Sequence, residues 1–107
     1  MALNTLVLFD IDGTILLTAG AGRRAITAAL AEEIGTTDTF ARVRFDGKTD
    51  PQIVTELLEA AGDTRARDPV FVRSLCRRYV AILAEELRHP RSATTVMPGV
   101  LPLLDAL

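Results

Sequence analysis

A nearly unbroken apolar run, Thr5-Leu6-Val7-Leu8-Phe9, ends on Asp10, and Asp12-Gly13-Thr14 follows one residue later. Strands buried on both faces of a sheet read as continuous apolar runs instead of alternating ones. The run therefore predicts a central parallel strand that ends at Asp10. Asp12-Gly13-Thr14 is turn chemistry, because glycine accepts backbone geometry that side chains resist. Ile15-Leu16-Leu17 is apolar again but short, and Thr18 to Gly22, with two glycines in three residues, reads as a flexible joint.

The pattern then becomes helical. Ile26, Leu30 and Ile34 recur every four residues within a helix expected over 23–34, and Gly35 is a natural stop. Residues 36–48 form a connector with two apolar anchors, Phe40 and Phe45. Asp50-Pro51 opens a second helix, with Thr49 and Gln52 offering a capping box one residue earlier. Ile53 and Leu57, with Ala60 or Ala61, mark its buried stripe, and Gly62 ends it. Asp68-Pro69 starts the longest helix, whose expected core face is Phe71, Leu75, Tyr79, Ile82, Leu83 and Leu87. His89-Pro90 stops it, since a residue before proline is biased away from helix. Residues 91–95 read as a polar linker, and a last helix is expected to start near Gly99, which keeps Pro102 within its first turn.

One strand and a set of helices leave the sheet unfinished, and a buried strand without a partner cannot satisfy its backbone groups. The expectation is the N-terminal portion of a larger α/β protein, with the remaining strands beyond Leu107. The 107 residues are 49% hydrophobic and 24% charged, which excludes a disordered composition. Twelve basic against fourteen acidic residues give −2, so no global field draws the chain to nucleic acid or an anionic membrane. One cysteine excludes an internal disulfide framework, and no apolar run approaches the roughly 18 residues a spanning helix needs. With Asp10 and Asp12 interrupting the first apolar stretch, a secretory leader is not expected, and a cytoplasmic location is.

The chemistry-bearing residues are Asp10 and Asp12. They lie where the strand leaves the sheet, and carboxyl ends of strands are where α/β folds bind ligands. Adjacent carboxylates repel, so a cation should oppose them, and Mg2+ prefers oxygen ligands while keeping several waters. One carboxylate of such a pair can act as nucleophile while the other moves protons. For an isolated Asp-x-Asp-Gly a solvated turn is the favoured reading, and here the apolar run before it and Thr14 after it raise the specificity. An EF-hand fits poorly, because its later acidic positions are absent.

Val7-Leu8-Phe9-Asp10-Ile11-Asp12-Gly13-Thr14 resembles the first motif of the haloacid-dehalogenase-like (HAD) hydrolase superfamily. Phe45-Asp46-Gly47-Lys48-Thr49-Asp50 resembles a segment in the helical caps of phosphoglycolate-phosphatase-like members, and Met97-Pro98-Gly99-Val100 resembles the return from cap to core. The resemblance implies an α/β fold with a HAD-like Rossmannoid core and an inserted α-helical cap. It assigns residues 1–17 to the first core strand and motif loop, 18–95 to the cap, and 96–107 to the return, the rest of the core being missing. It further implies magnesium-dependent hydrolysis of a small-molecule phosphate monoester through an aspartyl-phosphate. Asp10 would be the nucleophile and Asp12 the general acid and base, with Mg2+ on the Asp10 carboxylate and the Asp12 carbonyl. Thr14 would support the loop, and Lys48 would face the substrate from the cap. The family's second-motif hydroxyl, core lysine and distal acidic pair have no counterparts here, so the chain alone is expected to be inactive. A sugar phosphomutase of the same superfamily and a non-catalytic helical interaction module are the alternatives. The substrate and the oligomeric state are not legible.

Weaker signals have plain readings. Lys48 is otherwise a solvated loop residue and Asp50 a helix cap. Arg23 and Arg24 at a helix start, and Glu32 and Glu33 at its end, oppose the helix dipole. Arg77 and Arg78 read as a wet helix face, Cys76 as a half-buried structural thiol, and Tyr79 and Phe71 as packing. His89, with no second ligand near it in sequence, is not a metal candidate.

Overall fold

The computed structural model describes residues 4–107. Residues 1–3, at the head of the expected first-strand region, lie outside the described residues. The elements run β1 (Leu16–Leu17), α1 (Ala21–Ile34), α2 (Asp50–Ala60), α3 (Pro69–Arg88), β2 (Thr95–Val96) and α4 (Val100–Ala106). Single 3-10 turns occupy Phe40–Arg42 and Pro90–Ser92.

The helices form for local reasons that the sequence states. Gly35 takes the left-handed conformation (φ 72°) and returns its N–H to the Ala31 carbonyl, ending α1 where expected. The α3 start is a side-chain cap: the Asp68 carboxylate accepts from Val70 N at 3.0 Å and Phe71 N at 3.4 Å, with Pro69 in the first turn. At α2 the cap position falls to Thr49, and Asp50 is the first helical residue. There its carboxylate faces the positive end of the helix dipole.

α1 packs along α3, and α2 also packs on α3. The core between them is Ile26, Ala29, Leu30, Val54, Leu57 and Leu58, all essentially without exposure, with Phe40 and Val43 sealing it from the connector. Arg23 secures that connector by donating to the Phe40 and Val43 carbonyls, at 3.3 and 2.9 Å, while its guanidinium stacks on the Phe45 ring. The α3 face departs from expectation at both ends. Val72 is buried beside Leu75, and Glu86, not Leu87, is the buried residue of the last turns.

The parallel strand expected over 5–9 is corrected. Residues 4–11 carry no strand, and the one ladder among the described residues is antiparallel, β1 to β2, with Leu16 opposite Val96 and Leu17 opposite Thr95. Leu6 and Leu8 are 81% and 83% exposed. No strand among the described residues lies beside the run, and unpaired backbone groups are tolerated only where water reaches them. The chain is thus mostly helical with a small antiparallel ribbon. The apolar side chains of α4 are also largely exposed, Leu101 most of all, as is Leu107 just beyond its end. No helix among the described residues is long and apolar enough to cross a membrane.

Candidate functional site

The loop after Asp10 is a tight turn built on one carbonyl. Ile11 O accepts from Thr14, Ile15 and Leu16 N, at 3.2, 2.9 and 3.2 Å, and Gly13 N donates to Leu16 O at 2.9 Å. Gly13 sits at φ 76°, a conformation that penalises any side chain, so this turn requires its glycine. The β1–β2 ribbon holds the turn from behind, and Met97 N donates to Ile15 O at 2.8 Å. Residues more than eighty positions apart therefore fix the loop that carries Asp10 and Asp12.

Both aspartates line a cleft of about 760 Å³, well within the size range of small-molecule sites. One side of the cleft is the loop, with Asp10, Asp12 and Gly13; the other is the helical unit, with Arg23 from α1, the 45–50 segment and Tyr79 from α3. Lys48 is in the lining, as are Asp46 and Asp50. Thr14 is not, and its backbone N–H serves the turn. Asp10, Asp12 and Lys48, separated by almost forty residues in sequence, thus share one space.

Lys48 does not offer a bare charge there, because its ammonium lies 3.0 Å from Glu56 Oε1. Tyr79 was legible in the sequence only as packing. In the structure it packs against the core with one edge and lines the cleft with the other. Its one sequence signal is that a tyrosine interrupts an otherwise aliphatic stretch of stripe. Burial first, then the negative charge of Asp50 and of Asp12, pushes its phenol up to about 12.

Among the described residues no group of three or more Asp, Glu, His or Cys side chains is placed to hold a metal ion. The carboxylates of Asp10 and Asp12 line the same cleft as Asp46 and Asp50. Two carboxylates with room for water fit the chemistry of a Mg2+ ion, which takes one or two carboxylates and keeps several waters, and not that of an all-protein cage.

Arg24, which opposed the helix dipole in the sequence reading, is used differently. It donates to Glu86 on α3, to Ser92 Oγ at 2.6 Å and to the Ala19 carbonyl in the joint. Glu86 also accepts from Arg91 Nε and Nη2, each at 2.8 Å. The network ties both connections of the helical unit, residues 18–20 and 89–94, to its body. Elsewhere Arg78 pairs with Glu32 through two 3.0 Å bonds, the wet-face role expected of it. A smaller cavity of about 440 Å³ between the α2 and α3 starts borders Cys76. Burial and then Asp50 push that thiol up, which keeps it protonated and unreactive.

Comparison with family models, with curated proteins and with solved structures returns no match to this chain.

Proposed function

We propose that this chain carries the nucleophile loop and helical cap of a HAD-like, magnesium-dependent phosphatase acting on a small-molecule phosphate monoester. The observation that carries the reading is the shared cleft: Asp10 and Asp12 on one side, the 45–50 segment with Lys48 on the other. In this reading the Asp10 carboxylate attacks phosphorus, the ester P–O bond breaks, and Asp12 gives its proton to the departing oxygen. Asp12 then takes a proton from water, that water attacks the aspartyl-phosphate, and the Asp10–phosphorus bond breaks to release phosphate. Mg2+, held by Asp10 and Asp12, would neutralise charge on the phosphoryl oxygens. Phosphoryl transfer asks mainly for positioning and charge stabilisation, which the ribbon-braced turn supports. Thr14 serves by holding the turn. A phosphomutase would use the same carboxylates and would pass the phosphoryl group back to substrate without releasing phosphate.

The test pairs binding with turnover. Mg2+ followed by inorganic phosphate should perturb the backbone amide NMR signals of residues 10–14, and Asp10→Asn should abolish the effect while leaving the helical signals in place. Equal perturbation in the two proteins would sink the reading. Phosphate release from an aryl phosphate above the Asp10→Asn level would overturn the expectation that the chain alone is inactive.

A further inference from the structure

The helical side of the cleft carries a group that the proposed chemistry leaves unused. Tyr79 reaches the cleft from α3 and presents its phenol in the cleft lining. It lies across α1, where a Cβ on Gly22 would be 3.7 Å from the phenol oxygen. With its phenol pushed up to about 12, Tyr79 keeps its proton at neutral pH and is available as a donor. The two cations in the same lining are already engaged. Lys48 is paired with Glu56, and Arg23 is spent on the Phe40 and Val43 carbonyls and the Phe45 ring. Asp46 and Asp50 add acceptors to this side. A leaving group with its own carboxylate would meet negative charge with no uncommitted cation to offset it. A leaving group rich in hydroxyls would find one donor and several acceptors.

We propose that Tyr79 is a specificity-determining residue that hydrogen-bonds the leaving group, and that this side of the cleft selects uncharged, polyhydroxylated phosphate esters over esters bearing a carboxylate. The inference rests on the phosphatase reading and deepens it. The test is calorimetric binding, with Mg2+ at neutral pH, of three probes: inorganic phosphate, glycerol 3-phosphate and 3-phosphoglycerate. Glycerol 3-phosphate should bind more tightly than 3-phosphoglycerate. Tyr79→Phe, which keeps the ring and its packing, should weaken glycerol 3-phosphate by roughly five- to tenfold, the scale of one hydrogen bond. It should leave inorganic phosphate unchanged. Equal or tighter binding of 3-phosphoglycerate, an unchanged affinity in Tyr79→Phe, or binding of neither ester where inorganic phosphate binds would overturn the proposal. Failure of inorganic phosphate itself to bind would overturn the phosphatase reading and this inference with it.

Discussion

Glu86 shows how much one side chain can organise. It is the buried carboxylate of α3, and hydrogen bonds from Arg91 first and Arg24 second hold it well below its ordinary 4.5, at about 2. A carboxylate depressed in the folded state stabilises it above the unfolded pKa and loses that contribution as pH falls through the folded value. Here the loss falls between pH 4.5 and about 2. Asp63, lowered from 3.8 to about 2 by Arg65, adds to the same acid limb. Glu86→Gln should therefore lower the urea midpoint at pH 7 and flatten its fall below pH 4.5, where wild type and variant should converge. Parallel pH profiles would show that the titration of Glu86 is not coupled to folding. The sequence pointed to Leu87 as the buried residue here, since 86 and 87 fit the helical period almost equally. The choice was made by Arg24, which arrives 62 positions away.

Helix ends were the most legible feature at the scale of elements, because a cap is a contact within a few residues. Asp68 is the clearest case: it caps α3 with two hydrogen bonds, and Asp68→Ala should cost about 1 kcal/mol in denaturant unfolding. The core faces were legible where periodicity was strict. Ile26 and Leu30 on α1 and Leu57 on α2 are buried as the pattern asks. Leu30→Ala should cost roughly 2–5 kcal/mol, read as a shifted urea midpoint, because Leu30 has no exposure and sits where α1 meets α3. Residues 5–9 were not legible in the same way. An apolar run announces a strand only if a partner lies beside it, and partnership is not a local property.

The whole molecule is extended, at 53 × 35 × 23 Å. Its radius of gyration is 16.5 Å, against roughly 13 Å for a compact chain of about this length. The helical unit holds the core, whereas residues 4–11 and α4 contribute no buried residue. Stability should be distributed accordingly. Hydrogen exchange should be slowest in the amides of α1, α2 and α3 that border Leu30, Leu57 and Leu75, and fast in residues 4–10. Slow exchange across 4–10 in the isolated chain would contradict the structure, since those amides donate no backbone hydrogen bond to another described residue.

The sequence by itself determined that helices form over these stretches and where most of them stop, because each stop depends on residues within a turn or two. Only the tertiary structure decided that Asp10 and Asp12 face Lys48 and Tyr79 across one cleft. It also decided that the turn bearing them is braced by β2, and that two arginines bury Glu86. Those outcomes depend on which distant segments arrive together, and periodicity along the chain carries no record of that.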